Sequence, residues 1–418
     1  MLNNPAQETG RVTSLLVFSK DAKPLPGGVA EYLHHLCEHL AQSGVHTVLA
    51  THVPGDGSYT AEWHIVRRLP PPYEEAPADA RATVAQQILL AVRQAIRARK
   101  WARYWVRQLR QHYNPQVAAL GVWSGLADCW AMACREFRIP YVVFTHGRDV
   151  GYRLRGSRGF LLSRTRRRTF QRAAAVFAVS HAIADAVMRL GVPKSRVFLA
   201  PPGIALDSWQ PVPAERCREI ARSLKIEGKR VVLSVSRLAP IKGISTMTAA
   251  LPLVLEEFPQ CVYVIGGGGE EESALRRQAE NLGVAEHVIF AGEVCGELKK
   301  ALYQICDVFV LPCRDLPDGP VEGFGIVFLE AAACGKPVVA GRTGGVPDAV
   351  VDGATGILVD PESPAALADA VVRLLRDRDL ADALGKQARA RVETMSWEVR
   401  AMKVREVLDR LIQPSSSN

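Results

Sequence analysis

Residues 230–236 read RVVLSVS, in which 231–235 are apolar except for Ser234, and they are followed by RLAPIKG at 237–243. Apolar runs of this length without polar alternation are typical of strands in a parallel sheet that helices cover on both faces. Similar runs recur downstream, each next to a helical pattern: CVYVIG (261–266), HVIFAG (287–292), VFVLP (308–312) and PVVAG (337–341). This alternation predicts a doubly wound α/β domain.

The first half of the chain shows the same alternation. RVTSLLVF (11–18) predicts a buried strand, VAEYLHHLCEHLAQSG (29–44) a helix, and HTVLATH (46–52) the next strand. Residues 53–80 are rich in Pro, Gly and acidic side chains and are expected to form a loop, and a long basic helix is expected over 81–112. The alternation then resumes with VAALGVW (117–123), YVVFT (141–145), AVFAVS (175–180) and RVFLA (196–200) as strands.

A stretch with four prolines and no periodicity, PPGIALDSWQPVPAE at 201–215, separates the two halves and is expected to be a linker. We therefore expect an N-terminal domain over 1–205 and a C-terminal domain over 206–395. Residues 396–418 are expected to form a terminal helix and tail that packs back on the N-terminal domain.

The composition excludes several classes of protein. The chain has 418 residues, 48% of them hydrophobic, with no apolar run long enough to span a membrane. A secretory signal peptide is not expected, because the apolar stretch VTSLLVF near the N-terminus is too short for one. Nine cysteines without a Cys-x-x-Cys pair indicate reduced, buried thiols rather than a zinc site. The sequence GGGGEEE at 266–272 lacks the third glycine of a dinucleotide fingerprint, and CGKP at 334–337 is not a P-loop.

In open parallel sheets, ligands bind beyond the carboxyl ends of the strands. Arg237 and Lys242 follow one strand and precede a helix, where two cations and free backbone amides favour a phosphate group. Two solvated surface cations would give the same pattern.

Residues 322–330, EGFGIVFLE, follow another strand. Gly323 and Gly325 allow the backbone to approach a ligand closely. Glu322 lies in the predicted loop and Glu330 in the predicted helix, so that two carboxylates flank a turn of backbone amides. This spacing fits a ligand with a sugar at each end and a pyrophosphate between them, although glutamates also favour helix N-termini without any ligand.

Two strand ends of the first half are also candidates. The PGG sequence at 26–28 is a flexible loop before a helix, and its Gly27 and Gly28 suit the approach of a pyrophosphate. His146 directly follows a predicted strand and precedes Gly147. A histidine at a strand end that faces the phosphate site of the other domain is a candidate functional residue, although a lone histidine is often structural.

The ordered set of motifs resembles the retaining glycosyltransferases of family 4, which have the GT-B fold. The motifs are E-x7-E at 322–330, R-x4-K at 237–242, PGG at 26–28 and THG at 145–147, together with the segments VFAVSHAIADAV, PPGIALDSW and GGVPDAVVDGATGILV. The resemblance covers nearly the whole chain. It implies two Rossmann-like domains facing a central cleft, with a nucleotide sugar bound mainly by the C-terminal domain and an acceptor by the N-terminal one.

The resemblance also implies roles for individual residues. His146, Arg237, Lys242 and Glu322 are the expected catalytic residues, with Arg237 and Lys242 on the pyrophosphate. The expected donor-binding residues are Gly27, Gly28, Val294, Gly323, Phe324, Gly325, Ile326, Val327 and Glu330. Glu330 would bind the ribose and Val294 the base. No metal or other cofactor is expected to be required, and retention would proceed by front-face displacement.

The sequence is most similar to the branch of the family that contains the phosphatidylinositol mannosyltransferases. This favours GDP-mannose as donor, with UDP-sugars as alternatives, and a lipid-linked or glycan acceptor. The net charge is +9, and residues 93–110 carry seven basic and no acidic side chains. Basic residues with aromatic neighbours suit an anionic membrane surface. The expected membrane-binding residues are Arg97, Lys100, Trp101, Arg103, Trp105 and Arg107.

Other interpretations remain open at this point. The basic helix could be solvated with its aromatics in the core, whereas nucleic acid binding is not expected because no recognition motif accompanies the charge. The chain could be a GT-B enzyme of other chemistry, such as an epimerase or phosphorylase, or a non-catalytic nucleotide-sugar-binding protein. The expected location is the cytoplasm, with peripheral attachment to the inner face of the cell membrane.

Overall fold

A computed structural model of the chain shows two α/β units, each built on its own mainly parallel sheet. Unit 1 contains residues 1–179, 183–201 and 397–418, and unit 2 contains 180–182 and 202–396. The structure describes residues 11–23, 27–52, 59–60, 65–71, 84–151, 156–317 and 319–413.

The sheet of unit 1 has eight strands in the order β3-β4-β2-β1-β5-β6-β7-β8. The strands are β1 (Ser14–Phe18), β2 (His46–Thr51), β3 (Tyr59–Thr60), β4 (Ile65–Arg68), β5 (Val117–Leu120), β6 (Tyr141–Thr145), β7 (Ala175–Ala178) and β8 (Val197–Leu199). The short β3 is antiparallel to β4, and the other pairs are parallel. The central strands β1, β5 and β6 are buried along their whole length, which agrees with their continuous apolar sequences.

The helices of unit 1 lie between these strands and at the C-terminus. They are α1 (Gly28–Gln42), α2 (Val84–Tyr113), α3 (Gly125–Glu136), α4 (Arg148–Gly151), α5 (Gly156–Arg172), α6 (His181–Arg189) and α15 (Trp397–Ile412). Helices α2 and α5 both pack on α3, and α15 packs on α1. The Ser124 side chain caps α3 by accepting a hydrogen bond from the Ala127 amide.

Helix α15 joins unit 1 through aromatic and polar contacts. The Trp397 ring lies edge-on to Tyr32 at 5.3 Å and stacks on His35 at 5.4 Å. The Asp409 carboxylate accepts a hydrogen bond from the Val12 amide at 2.6 Å. The last helix of the chain therefore returns to the unit in which the chain begins.

The sheet of unit 2 has six parallel strands in the order β11-β10-β9-β12-β13-β14. They are β9 (Arg230–Val235), β10 (Cys261–Gly266), β11 (Val288–Gly292), β12 (Val308–Leu311), β13 (Val338–Gly341) and β14 (Ile357–Val359). The helices are α7 (Ala214–Ser223), α8 (Ile244–Glu257), α9 (Glu272–Asn281), α10 (Gly296–Ile305), α11 (Ile326–Ala333), α12 (Val346–Ala349), α13 (Pro364–Arg376) and α14 (Arg378–Glu393).

The prediction of two doubly wound α/β units is confirmed, and so are the strands on which it rests. The expectation of a loop throughout 53–80 is wrong where β3 and β4 form. Ile65 and Val66 pair with Val48 and Leu49 of β2, and Val66 is buried. Tertiary pairing thus decides the structure of a short apolar pair that lies among turn-forming residues. Helices α7, α13 and α14 and strand β14 were not predicted from the sequence.

Candidate active site

The candidate site of unit 2 lies at the switch point of the sheet, where the order in which the chain adds strands reverses. From β9 the chain adds β10 and β11 on one side, and it then returns to add β12, β13 and β14 on the other. The two loops that follow β9 and β12 leave the sheet at this switch point, where ligands of open α/β sheets bind. Arg237 and Lys242 belong to the first loop, and Glu322 to the second.

Glycines allow these loops to pack directly on each other. Gly243, with φ +66°, lies so close to the start of the loop after β12 that a Cβ there would stand 2.0 Å from the Pro312 carbonyl oxygen. A Cβ on Gly345 would stand 1.9 Å from the carbonyl oxygen of Gly323, and the Gly345 amide donates to the Glu322 carbonyl at 2.9 Å. The backbone at 322–325 is therefore fixed from the next loop by a contact that only glycine permits.

Lys242 and Glu322 form an ion pair inside this site. The lysine Nζ donates to Glu322 Oε2 at 2.5 Å, and the two side chains are only 19% and 11% exposed. The thiol of Cys313 donates to the same oxygen at 3.6 Å. Two residues that are 80 positions apart are thus joined at the ends of β9 and β12.

Burial opposes the ionisation of both groups, yet their mutual attraction outweighs it. Despite burial, the Lys242 ammonium and the Cys313 thiol hold the pKa of Glu322 below its ordinary 4.5. Despite burial, the Glu322 carboxylate raises the pKa of Lys242 above 10.5. Both groups are therefore charged at neutral pH.

Glu330 is held by a different set of partners on α10. Lys299 Nζ donates to its Oε1 at 2.6 Å, and the Tyr303 hydroxyl donates to its Oε2 at 2.9 Å. Burial and the Glu330 carboxylate raise the pKa of Tyr303 well above 10, so the hydroxyl keeps its proton. Trp209 lies edge-on to Tyr303 at 5.6 Å and places its ring 5.5 Å from Lys299 Nζ.

The backbone between the two glutamates turns into α11. Phe324 is buried, and Gly325 at φ +88° is the N-cap residue of the helix, without a side-chain cap. Ile326 and Val327 begin the first turn, where backbone amides lack partners inside the helix. Glu322 precedes this turn and Glu330 follows it, as the E-x7-E spacing predicts.

The other expected donor residues of unit 2 lie nearby along the strand ends. Arg237 is exposed in the loop after β9. Val294 follows β11, and a Cβ on Gly266 would stand 2.8 Å from its side chain, so that Val294 covers the end of β10. Beside it, a Cβ on Gly267 would stand 1.9 Å from the Ser236 carbonyl oxygen. The glycine run at 266–269 thus lets this backbone lie against the loop after β9.

In unit 1, Gly27 has φ +141° and is the N-cap residue of α1, and Gly28 begins the helix; both are exposed. His146 follows β6, as expected from the sequence. Its Nε2 lies 2.9 Å from the Gly121 carbonyl oxygen, and Tyr32 lies edge-on to its ring at 4.9 Å. Burial lowers the pKa of His146 despite the nearby Asp149 carboxylate, so the imidazole is neutral at pH 7 and donates this hydrogen bond.

Asp149 fixes the backbone on which His146 sits. Its Oδ1 accepts hydrogen bonds from the Thr145 hydroxyl at 2.8 Å and from the amides of His146 and Gly147 at 3.0 Å each. The carbonyl of Asp149 in turn accepts from Arg166 of α5 at 3.3 Å. The loop after β6 is therefore organised by one carboxylate.

Both halves of the chain match families of sugar-transferring enzymes. Residues 26–208 match the family described as "Glycosyltransferase Family 4", and residues 216–391 match "Glycosyl transferases group 1". A protein of Mycolicibacterium smegmatis is 32% identical over 397 residues, which cover 94% of this chain and 98% of that protein. Its name is GDP-mannose-dependent alpha-(1-6)-phosphatidylinositol monomannoside mannosyltransferase.

The chain belongs to glycosyltransferase family 4. A Mycobacterium tuberculosis protein with the same name as that of M. smegmatis is 36% identical over 293 residues, 69% of this chain and 75% of that protein. Among solved structures, HepE of Anabaena in complex with UDP and glucose covers 95% of this chain and all of its own, with a TM-score of 0.71 and 20% identity. That likeness shows the fold, GT-B, and the expectation of a GT-B glycosyltransferase is confirmed.

In this glycosyltransferase, the sequence missed several residues that hold the site. Lys299 and Tyr303 stand four residues apart, so helical spacing places them on one face of α10. Their partner, Glu330, is 31 and 27 residues away, and no local pattern indicates it. Cys313 and Asp149 were likewise absent from the predicted site.

The basic helix α2 divides its expected membrane-binding residues between two environments. Arg97, Lys100, Arg103 and Arg107 are exposed, whereas Trp105 is half-buried. Trp101 is also half-buried: its Nε1 donates to the Pro70 carbonyl at 2.8 Å, and its ring lies 6.0 Å from Trp130. This ring lies beside the buried stripe of the helix and packs against Phe18 and Trp130, which agrees with the alternative in which the aromatic side chains of the helix lie in the core.

Exposed apolar side chains take the place of Trp101 on the outer face of α2. Val92, Ile96 and Tyr104 are 49%, 51% and 55% exposed. We call the exposed Arg97, Lys100, Arg103 and Arg107 together with these three residues the basic face. Arg103 is paired with Glu136 of α3 at 2.5 Å. Across the described parts of the chain, no helix combines the length and the apolarity that a membrane span needs.

The Lys242–Glu322 pair predicts an acid-dependent loss of stability. The pKa of Glu322 is lower in the folded state than its ordinary 4.5. Between these two pKa values, the unfolded chain therefore binds more protons than the folded chain does. The stabilisation is complete above 4.5 and is lost as the pH falls through the folded pKa. The melting temperature of the wild type should therefore exceed that of Glu322→Gln by a constant margin above pH 4.5 and approach it as the pH falls below that value.

Differential scanning calorimetry of both proteins measures this convergence. Glu362→Gln, which removes an exposed carboxylate of the same unit that lies 3.6 Å from Arg314, is the matched control for the loss of one surface carboxylate. Melting curves of Glu322→Gln that stay parallel to the wild type over the whole range would show that the pair does not titrate as stated.

Proposed function

We propose that this glycosyltransferase moves mannose from GDP-mannose to a phosphatidylinositol-based glycolipid, with retention at the sugar carbon. The relatives named above supply the donor and the acceptor class. The observation that carries the proposal is the pair of buried carboxylates that flank the first turn of α11. Glu322 lies before this turn and Glu330 after it, and each forms an ion pair with a lysine.

The charges after β9 suit a diphosphate. Arg237 and Lys242 bring two positive charges to one loop, and Glu322 neutralises one of them. The remaining positive charge and the amides at the start of α11 favour an anion at this place. A leaving nucleoside diphosphate gains negative charge as the glycosidic bond breaks, and fixed cations and amides stabilise that charge.

The surroundings of Glu330 suit a ribose diol. Lys299 and Tyr303 each use one hydrogen bond on a different oxygen of the carboxylate. A carboxylate has about four acceptor positions, so two remain for the hydroxyls of a ribose. The two donors also fix the rotamer of Glu330, which lowers the entropic cost of binding.

Glu322 is proposed to hold hydroxyls of the transferred sugar, together with the backbone of Gly323, Phe324 and Gly325. Its carboxylate is already bound to Lys242 and Cys313, which supports a binding role over attack on the sugar. Retention would then proceed by front-face displacement, in which the leaving phosphate takes the acceptor's proton. Val294, Ile326 and Val327 remain proposed donor contacts.

In unit 1, Gly27, Gly28 and His146 remain proposed contacts of the phosphates and the reacting sugar. The neutral state of His146 supports hydrogen bonding to a sugar hydroxyl rather than a charge contact with phosphate. The domain roles are likewise proposals: unit 2 binds the donor, and unit 1 binds the acceptor.

The basic face supports attachment to an anionic membrane at the cytoplasmic side. Its cations attract acidic headgroups, and Val92, Ile96 and Tyr104 offer apolar surface to the lipid. A lipid-linked acceptor would be presented at that surface.

Nucleotide specificity is the first test of the proposal. We expect GDP-mannose to raise the melting temperature and to be consumed, with UDP-glucose and UDP-galactose without effect, because a ligand that binds only the folded state stabilises it. The 2′,3′-dideoxyribose analogue of GDP-mannose should bind to the wild type at least about 10-fold more weakly than GDP-mannose does. It lacks the two ribose hydroxyls from which Glu330 is proposed to accept hydrogen bonds.

Glu330→Gln separates the ribose contact from a structural role. This variant should bind GDP-mannose and the dideoxy analogue with nearly equal affinity, measured by isothermal titration calorimetry. A variant that still discriminates as the wild type does would refute the ribose contact. A melting shift caused by a UDP-sugar instead of GDP-mannose would refute the proposed donor.

Removing the Lys242–Glu322 pair should stop turnover while leaving the fold intact. Lys242→Ala alone would leave the Glu322 carboxylate buried and unpaired, which costs about 3–5 kcal/mol of stability. The double variant Lys242→Met, Glu322→Gln replaces the pair by neutral groups of similar size and is expected to melt near the wild type. Its kcat should fall at least about 100-fold, because the diphosphate loses a fixed cation.

Glu322→Gln by itself is the comparison that isolates the lysine. It keeps the cation and should retain more activity than the double variant in the mannosyl-transfer assay. If the double variant folds and turns over as fast as Glu322→Gln, Lys242 has no part in catalysis.

Charge reversal on the basic face tests the membrane proposal. Arg97→Glu, Lys100→Glu and Arg107→Glu together should weaken binding to phosphatidylinositol-containing vesicles by roughly 100-fold, because each basic residue near an anionic surface contributes about 1 kcal/mol. Sedimentation with vesicles measures the bound fraction. Arg103 is left in place because it pairs with Glu136.

The matched control makes the same change of net charge in unit 2. The control variant combines Arg373→Glu, Arg378→Glu and Lys386→Glu. These three residues are exposed on α13 and α14. This variant should bind vesicles as the wild type does. Equal binding by both triple variants would show that the basic face is not the attachment surface.

A further inference from the structure

Helix α1 carries a cluster of histidine and carboxylate side chains that the proposed transfer reaction does not use. The ligand atoms of His34, His35 and Glu38 all lie within 4.8 Å of one another. The side chains of His35 and Glu38 are each 26% exposed, so water and ions reach the cluster.

Helical spacing brings these groups together. His34 and Glu38 are four residues apart and His35 and Glu38 three apart, so that each pair occupies neighbouring positions on the helix surface. The rings of the two histidines lie 5.3 Å apart between centroids. His35 Nδ1 lies 3.3 Å from Glu38 Oε2.

We propose that His34, His35 and Glu38 bind a divalent transition-metal cation, with Zn²⁺ as the expected ion. Two imidazoles and one carboxylate are a common protein ligand set for Zn²⁺, and a fourth position remains for water. Nitrogen ligands exclude Mg²⁺ and Ca²⁺, which require oxygen donors. The three residues differ from the proposed donor contacts of unit 2 and from Gly27, Gly28 and His146 of unit 1.

Glu31 supplies the second shell of this site. Its Oε2 lies 3.7 Å from His35 Nε2, on the other side of the ring from Glu38. Without a metal, Nδ1 of His35 donates to the Glu38 carboxylate. Metal binding through Nδ1 would displace this proton and require the tautomer that carries its proton on Nε2, the nitrogen that faces Glu31. Lys23 lies 3.0 Å from the Glu31 carboxylate and balances its charge.

A metal at this place would stiffen the contact between α1 and α15. His35 stacks on Trp397, the first residue of α15, and Trp397 also packs on Tyr32 of α1. A cation that bridges His34, His35 and Glu38 would restrain the ring of His35, on which Trp397 stacks. Binding is therefore expected to raise the melting temperature of the protein.

Metal titration of the full chain, freed of any affinity tag, tests the proposal. Zn²⁺ binding is measured by calorimetry, and Co²⁺ binding is measured by its visible absorption. We expect one Zn²⁺ per chain, and at least about 10-fold weaker binding in His34→Ala and in Glu38→Gln. Glu31→Gln, in the second shell, should weaken binding by about 10-fold.

Two controls separate this cluster from other metal-binding groups. Cys295 is the exposed cysteine of the described residues, so the titrations use a Cys295→Ser background. His46→Ala removes an exposed histidine of β2 in the same unit and should leave the affinity unchanged. Circular dichroism of each variant confirms that it is folded.

The outcomes are exclusive. Loss of Zn²⁺ affinity in His34→Ala and Glu38→Gln, with wild-type affinity in His46→Ala, supports the site. An affinity that is the same in all these folded variants, or the absence of Zn²⁺ binding by the wild type, overturns it. Transfer activity is not the readout, so that the result is independent of the proposed mannosyl transfer.

Discussion

A buried carboxylate must be paired, and the pairing of Glu322 with Lys242 organises the candidate donor site. An uncompensated charge at this depth would cost several kcal/mol, so the loss of either partner alone would destabilise the contact between the loops after β9 and β12. The pair therefore does two things. It closes the loops at the switch point of the sheet, and it keeps a lysine ammonium in place before any ligand arrives.

Close backbone packing makes this pairing possible. Gly243 approaches the Pro312 carbonyl and Gly345 approaches the Gly323 carbonyl, at distances that leave no room for a Cβ. Because interiors pack as densely as organic crystals, the loops have one arrangement rather than a range. Hydrogen bonds from Lys299 and Tyr303 fix the side chain of Glu330. Both carboxylates are therefore oriented before a ligand binds, which reduces the entropic cost of recognition.

Unit 1 shows a division between fixed and exposed chemistry. The loop of His146 is held by three hydrogen bonds to one oxygen of Asp149, and burial keeps the imidazole neutral. In contrast, the basic face of α2 presents its cations and apolar side chains to solvent. The first arrangement suits precise contact with a small ligand, whereas the second suits a fluid and charged surface.

The sequence by itself determined the α/β class and most of the strands, because buried parallel strands are continuous apolar runs whose signal is local. It also determined the family, since the motifs at 26–28, 145–147, 237–242 and 322–330 occur in order. The short β3 and β4 escaped detection, because their pairing with each other and with β2 outweighs the turn-forming residues around them. The packing of Trp101 against Phe18 and Trp130 was left open by the sequence, since a helical repeat alone does not show which flank of the buried stripe meets the sheet.

Tertiary structure alone decided which groups hold the carboxylates. Lys242 and Glu322 are 80 residues apart, and Lys299 and Glu330 are 31 apart, and in both cases the contact exists only after neighbouring strand ends are brought together. Side-chain pairs across such separations leave no periodicity in the chain. The physical reason is that a parallel sheet gathers the carboxyl ends of distant strands at one edge, so that the identity of the partners depends on strand order and not on sequence spacing.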